Sequence, residues 1–195
     1  PVHDHIDSKL SAFEADLGKE WSTEFATGPV FKPLSPIDGQ TVLGSFRYST
    51  AADVAGAVAS AAEAYKVWSR TSIDERVAFA GRWQKALDDA KYDLALAALY
   101  EIGKSRIEAI GEAEEAVDIV EYYGSELKKH AGYVEGMREL IQNESAKSVL
   151  RPLGVFGVIS PFNFPVALSV NMIAGAILTG NAVVYKPSPD CALTG

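Results

Sequence analysis

The sequence contains very little cysteine, little histidine and no cluster of positive charge. Cys191 is the one cysteine among 195 residues, which excludes a disulfide framework and a metal site built from several thiolates. Apart from a His-x-His pair near the start, the three histidines have no metal-ligand spacing. The 18 Lys and Arg against 26 Asp and Glu leave a net charge of -8. Because phosphate contacts require clustered Lys and Arg, this composition argues against a nucleic-acid partner.

Long hydrophobic runs are also missing, and the first residues give no reason to expect a leader segment. The most apolar stretch, residues 155–184, is interrupted by proline, glycine and asparagine, and it does not supply the roughly 20 apolar residues of a membrane helix. The first ten residues have neither a basic nor an apolar signal-peptide region. At 48% hydrophobic residues, the chain can nevertheless form a core. We therefore expect a soluble, cytoplasmic protein without a membrane partner.

The first half of the chain predicts an amphipathic arm over residues 1–28, a β-hairpin and four helices. Asp38-Gly39 is the turn signal of the hairpin, since glycine adopts the positive φ that such a turn needs. A separate helix is expected over residues 91–102, with Gly103 as its stop. Three of the four helices begin at capping-box signals, which are at Thr50, Ser72 and Ser105.

The pattern changes near residue 145. Residues 145–151 alternate like a strand, and residues 154–160 form a nearly continuous apolar run, as in a strand buried on both faces. A helix that is apolar almost all round follows over residues 166–178, and a second apolar strand covers residues 182–186. Strand, helix and strand in this order predict a parallel βαβ unit. Ligands of such sheets bind beyond the carboxyl ends of the strands.

Two segments occupy those strand ends, SPFNFP and KPSPD. The first lacks the glycines of a dinucleotide-binding turn, but its prolines can hold Asn163 rigidly, and a neutral amide can stabilise charge that develops on a substrate oxygen. The alternative is a local Asx turn. In the second segment Lys186 can donate to ribose hydroxyls or pair with a 2′-phosphate. Its alternative is a lysine that merely extends into water.

Two other features are interpreted as structural. Cys191 has no neighbouring signal of a nucleophile, so a buried, inert thiol is favoured. An acidic series in the fourth helix is interpreted as a solvated face. Its members are Glu108, Glu112, Glu114, Glu115, Asp118 and Glu121.

The segment RPLGVFGVISPFNFPVALSVNMIAGAILTGNAVVYKPSPD resembles the aldehyde dehydrogenase superfamily. The resemblance lies in a P-[WF]-N-[FY]-P turn after a strand, an apolar helix, and then G-N-x-V-[VI]-x-K-P-[SA]. It implies an α/β fold, in which a helical layer is followed by the start of a variant Rossmann sheet. It also implies oxidation of an aldehyde to an acid with NAD or NADP, by way of a cysteine thioester.

The resemblance also implies roles for individual residues. Asn163 matches the asparagine that stabilises the oxyanion, and Lys186 matches the lysine that contacts the adenosine ribose. A carboxylate that often follows this lysine is replaced by Pro189, with Ser188 before it, so we expect NADP⁺ to be at least tolerated. The backbone that lines the cofactor matches Ile159, Ser160, Pro161 and Phe162.

The family's domain order implies that residues 1–50 are an arm and hairpin used in a homo-oligomer, a dimer or tetramer. Residues 51–195 would then be the N-terminal part of the NAD(P)-binding domain. The family's cysteine nucleophile and glutamate base lie beyond Gly195, so we expect a piece of a longer protein, inactive alone. Residues 100–123 resemble the 1-pyrroline-5-carboxylate dehydrogenase branch, which oxidises glutamate γ-semialdehyde, and related semialdehyde enzymes. A non-catalytic cofactor-binding or assembly module, and an acylating or reductive relative, remain as alternatives.

Overall fold

The computed structural model describes residues 2–195, and it shows an α/β protein in which helices precede a parallel βαβ unit. The helices are α1 (Val2–Asp16), α2 (Ala51–Trp68), α3 (Ile73–Ile102), α4 (Arg106–Lys129) and α5 (Ala167–Leu178). The strands are β1 (Val30–Phe31), β2 (Phe46–Arg47), β3 (Val134–Gly136), β4 (Lys147–Val149), β5 (Val155–Ile159) and β6 (Ala182–Lys186). A short 3₁₀ turn, Pro189–Cys191, follows β6. No helix among residues 2–195 is both long enough and apolar enough to cross a membrane.

The three capping boxes predicted for α2, α3 and α4 are all present. In each one the hydroxyl accepts from the backbone N–H three residues on, and the acidic side chain there accepts from the cap backbone. Gly103 ends α3 with a φ of 71°. The separate helix predicted over residues 91–102 is wrong, because α3 runs unbroken for 30 residues. Neither glycine nor proline lies between Gly81 and Gly103 to interrupt it.

Two antiparallel hairpins flank the helical layer. In the first, β1 pairs with β2, and Gly39 has the predicted positive φ, 68°. The second pairs β4 with β3. The strand expected within residues 145–151 is thereby confirmed, but its partner β3 has no apolar alternation and was missed. Both strands of this second hairpin are exposed.

The core forms where α3, α4 and α5 pack together. Its small side chains let the helices approach closely, and a Cβ added at Gly124 of α4 would lie 3.0 Å from the Cβ of Ala80 in α3. The arm is helical over Val2–Asp16 and has no helix over residues 17–28, and its Ile6 is buried where α1 packs on α3. The buried members of the main cluster are Ala80, Ala116, Val120, Leu127, Val166, Val170, Ala174 and Leu178.

The βαβ unit is confirmed, since β5 and β6 pair in parallel and α5 connects them. The Oδ1 atom of Asn181 accepts from the backbone N–H groups of Leu153 and Gly154, which joins the starts of the two strands. The expectation that β5 is buried on both faces is wrong, because Ile159 is 70% exposed and Phe156 is also exposed. Among residues 2–195 only β6 pairs with β5, which leaves the other edge of β5 uncovered.

Candidate active site at the carboxyl ends of the parallel strands

The two segments chosen from the sequence lie side by side. Ile159 is the register partner of Lys186 at the ends of β5 and β6. The backbone N–H of Ser160 donates to the carbonyl oxygen of Lys186 over 3.3 Å. Parallel pairing therefore brings the turn after β5, residues 160–165, next to the segment after β6.

The turn after β5 presents its central side chains to the outside. Pro161, Phe162 and Asn163 are exposed, whereas Pro165 at the end of the turn is buried. Among residues 2–195 the side chain of Asn163 has no hydrogen-bond partner, so the bond that an Asx turn would use is absent. Its amide is therefore open to a ligand.

Lys186 is exposed, and its Nζ donates to the neighbouring carbonyl oxygen of Pro187 at 2.8 Å. Within the described chain no carboxylate forms an ion pair with this ammonium group. Ser188 caps the 3₁₀ turn by accepting from the N–H of Asp190, and Pro189 begins that turn. The result is an exposed cation beside the exposed apolar end of β5.

A chain of hydroxyl groups, which the sequence did not reveal, lies beneath these strand ends. The hydroxyl of the buried Ser160 donates to Tyr185 Oη at 3.3 Å, and Tyr185 Oη lies 2.8 Å from Ser169 Oγ. Ser169 in turn donates to the carbonyl oxygen of Pro165. These contacts connect both ends of the turn to β6 and α5.

Glu112 corrects the interpretation of the acidic series, because it is buried at 2% exposure instead of lying on a solvated face. Its Oε1 accepts from the backbone N–H groups of Val166 at 2.7 Å and Ala167 at 3.3 Å, and its Oε2 pairs with Lys104 Nζ. A signal was available: position 112 lies on the same face of α4 as Ala109 and Ala116, three and four residues away.

Lys104 links this pair to the turn. Its Nζ lies 3.6 Å from the centroid of the Phe164 ring, which is a close cation–π contact. Phe164 follows Asn163 directly in the chain. Lys104 therefore contacts the turn itself, at Phe164, and Glu112 contacts the two backbone N–H groups directly after it.

A second buried carboxylate, Glu101 near the end of α3, binds the chain after the 3₁₀ turn. It accepts from the backbone N–H groups of Leu193 at 2.6 Å and Thr194 at 2.7 Å, and from the hydroxyl of Thr194. Burial raises the pKa of Glu101 above its usual range. The sequence pattern did not single it out.

The expectation that Cys191 is buried is confirmed. The side chain is fully buried, and burial, followed by the charge of Glu101, raises the pKa of its thiol to about 11. The Sγ atom lies beneath the turn, 4.0 Å from the carbonyl oxygen of Pro161. A thiol with this pKa stays protonated near neutral pH and is a poor nucleophile.

Known proteins are similar to this chain in sequence and in fold. The sequence model of the protein family named "Aldehyde dehydrogenase family" matches residues 23–195. The chain is 34% identical over 178 residues to the alpha-ketoglutaric semialdehyde dehydrogenase of Bacillus subtilis (strain 168). The matched region covers 91% of this chain and 36% of that protein. It is 31% identical to the 1-pyrroline-5-carboxylate dehydrogenase of Staphylococcus saprophyticus, over 86% of this chain and 32% of that protein. The chain thus spans about a third of the length of these curated relatives.

Solved structures agree with this assignment. The 1-pyrroline-5-carboxylate dehydrogenase from Thermus with bound NAD superimposes with a TM-score of 0.90 at 25% identity, over 99% of this chain and 38% of that one. The NADP-dependent glyceraldehyde-3-phosphate dehydrogenase of Bacillus halodurans C-125, complexed with NADP, gives a TM-score of 0.80 at 32% identity. The match covers 87% of this chain and 36% of that one. By sequence and by fold, this chain belongs to the aldehyde dehydrogenase family.

Proposed function

We propose that this chain supplies the oxyanion-binding turn and part of the cofactor site of an NAD(P)-dependent aldehyde dehydrogenase. Such an enzyme oxidises an aldehyde to the carboxylic acid through a cysteine thioester. The observation that carries the proposal is the amide of Asn163, which is exposed and unbonded at the carboxyl end of a parallel strand, on a turn bounded by Pro161 and Pro165.

Asn163 is the proposed catalytic residue of this chain. When a thiolate attacks the carbonyl carbon of the aldehyde, negative charge develops on the carbonyl oxygen, and the Asn163 Nδ2–H can donate to it. A preorganised donor lowers the barrier because it does not have to reorient as the charge forms. Cys191 is excluded as the attacking group by its burial and its pKa of about 11. The thiolate is therefore proposed to come from outside these 195 residues.

The residues at the strand ends fit a nicotinamide dinucleotide. NAD(P)⁺, when bound, accepts the hydride that leaves the substrate carbon. The segment Ile159–Phe162 is proposed to line it with backbone and apolar surface, and the exposed Nζ of Lys186 to donate to the adenosine ribose. Neither Ser188 nor Pro189 places a carboxylate there, so a 2′-phosphate would meet no repulsion from these positions. We therefore propose that NADP⁺ is accepted as well as NAD⁺.

The substrate is proposed to be a semialdehyde. This proposal rests on the relatives, whose names include alpha-ketoglutaric semialdehyde and 1-pyrroline-5-carboxylate dehydrogenases. Residues 51–195 are proposed to be the N-terminal part of the cofactor domain. Residues 1–50 are proposed to help form a homo-oligomer, since the hairpin exposes apolar side chains that a partner copy would cover. These side chains are Val30, Leu34, Ile37 and Tyr48.

The test uses the protein at its full native length. Initial rates are measured with glutamate γ-semialdehyde and α-ketoglutaric semialdehyde, and the formation of NADH or NADPH is followed by absorbance. The substitution Asn163→Ala is expected to lower kcat by about 10²–10³-fold, as the loss of one oxyanion donor does in other enzymes. Gln142→Ala removes an exposed amide far along the chain from the turn and is the matched control, which should leave kcat unchanged.

Other outcomes separate the alternatives. Binding of NAD(P)⁺ without turnover of any aldehyde contradicts the enzyme and favours a cofactor-binding module. A thioester product that appears only with coenzyme A identifies an acylating relative. A strong preference for NAD⁺ in KM contradicts the proposed acceptance of NADP⁺.

A further inference from the structure

We propose that Glu112 and Lys104 are positioning residues, which orient the Asn163 amide through the start of α5 and through the Phe164 ring. This role rests on the proposed function, because it matters only if Asn163 stabilises an oxyanion. It does not require that either residue touch substrate or cofactor.

The start of α5 is held by another helix. The residue at its N-cap, Val166, has no side chain that could cap the helix, although the first backbone N–H groups of a helix lack partners within it. The carboxylate of Glu112, from α4, accepts from Val166 and Ala167. Because the carboxylate is fully buried, water does not compete for these bonds. They fix the chain three residues after Asn163.

Lys104 adds a second contact, one residue after Asn163. Its side chain is only 13% exposed, pairs with Glu112 and lies over the Phe164 ring. The ammonium group thus connects the buried carboxylate to the aromatic side chain next to the catalytic amide. Since Asn163 has no hydrogen bond of its own among residues 2–195, the direction of its amide depends on how its neighbours are held.

The opposite end of the turn has anchors of its own that do not include Glu112. Ser160 donates its N–H to the carbonyl oxygen of Lys186 and its hydroxyl to Tyr185, and both acceptors belong to β6. The part of the turn proposed to line the cofactor is therefore anchored without Glu112. Loss of Glu112 should then impair the chemical step and spare cofactor binding.

The experiment compares Glu112→Gln with Glu115→Gln, in the full-length protein and in an Asn163→Ala background. Glu115 lies three residues further along α4, is exposed and has no partner among the described residues, so it is a matched control. Glu112→Gln is expected to lower kcat by about tenfold, because small displacements of a catalytic group are costly. The KM for the cofactor should change less than about twofold. In the Asn163→Ala background, Glu112→Gln should have no further effect on kcat.

Two results would overturn the positioning role. One is a Glu112→Gln effect that is equally large with and without Asn163, which means a general structural role. The other is an effect no larger than that of Glu115→Gln. If the unsubstituted protein oxidises no aldehyde with either cofactor, the proposed function fails and this role fails with it.

A second variant keeps the test usable if Glu112→Gln does not fold. Phe164 is 41% exposed, so Phe164→Leu removes the ring beside Lys104 while the buried ion pair stays intact. It is expected to lower kcat in the presence of Asn163 and to leave kcat unchanged in the Asn163→Ala background. An equal loss in both backgrounds would also overturn the role.

Discussion

Glu112 and Glu101 show two ways of burying a carboxylate in the same helical layer. Each is almost inaccessible, at 2% and 4% exposure, and each accepts from two consecutive backbone N–H groups. Glu112 holds the start of α5, and Glu101 holds the chain after β6. The difference is the counter-charge: Lys104 pairs with Glu112, whereas Glu101 has no ion-pair partner among residues 2–195.

Hydrogen bonds alone do not offset the cost of burying the charge of Glu101. Glu101 accepts three hydrogen bonds, and yet burial still raises its pKa. The ionised form is therefore less favourable in the folded protein than in water. An ion pair inside a protein adds attraction, but it makes each partner depend on the other.

The largest expected effect comes from breaking the buried pair. Lys104→Met leaves the Glu112 carboxylate buried without its cation, and the free energy of unfolding should fall by about 3–5 kcal/mol. Urea denaturation measures it. The control is Lys85→Met in α3, which breaks an exposed pair with Asp89 and should cost less than about 1 kcal/mol. Equal losses in the two variants would remove the distinction between buried and exposed pairs.

An intermediate and pH-dependent effect is expected at Glu101. Glutamine accepts with one oxygen only, so Glu101→Gln leaves a part-buried N–H unpaired and should lower the free energy of unfolding by about 1–3 kcal/mol. The folded-state pKa of Glu101 is raised, so the unsubstituted protein loses stability from this group as pH rises above 4.5. The deficit of the variant, which is the amount by which its free energy of unfolding lies below that of the unsubstituted protein, should therefore shrink with rising pH.

Urea denaturation over a pH series measures this deficit, and Glu108→Gln is its control. Hydrogen bonds from Ser105 lower the pKa of Glu108 in the folded state. The ionised Glu108 therefore contributes to the stability of the folded protein above pH 4.5, and this contribution is lost as pH falls. The deficit of Glu108→Gln should then grow with rising pH. A deficit of Glu101→Gln that also grows with pH would contradict the direction assigned to Glu101.

The smallest effect is expected at Thr194, whose hydroxyl donates to Glu101. Thr194→Val keeps the shape of the side chain but removes this donor, so the free energy of unfolding should fall by about 0.5–1.5 kcal/mol. The pKa of Glu101 should rise further, which denaturation at several pH values detects. Thr179→Val, which removes hydroxyl bonds to carbonyl groups of α5, is the control and should leave that pKa unchanged. An unchanged pKa in Thr194→Val would show that this hydroxyl does not stabilise the charge.

Much of the candidate site followed from local rules. Asn163 and Lys186 were chosen because parallel strands bring their carboxyl ends together, and the register of Ile159 with Lys186 confirms that the two segments are adjacent. The roles of Asn163 and Lys186 in catalysis and cofactor binding stay predictions. The burial of Cys191 is confirmed, and its inertness stays a prediction.

The residues that support the site were not found in this way. Glu112 was assigned to solvent with its acidic neighbours, although its position on the alanine face of α4 was visible in the sequence. Glu101, Tyr185 and Ser169 were not singled out, because their partners lie 92, 25 and 16 residues away. A polar residue in a helix does not indicate which distant backbone group will need it.

The sequence by itself determined the features that depend on neighbours in the chain. These are the helix starts at the capping boxes and the end of α3 at Gly103. Such features arise from backbone conformation and hydrogen bonds within a few residues. Only the tertiary structure decided which carboxylates are buried and what they hold. The physical reason is that the value of a buried charge depends on the donors and cations that packing brings to it.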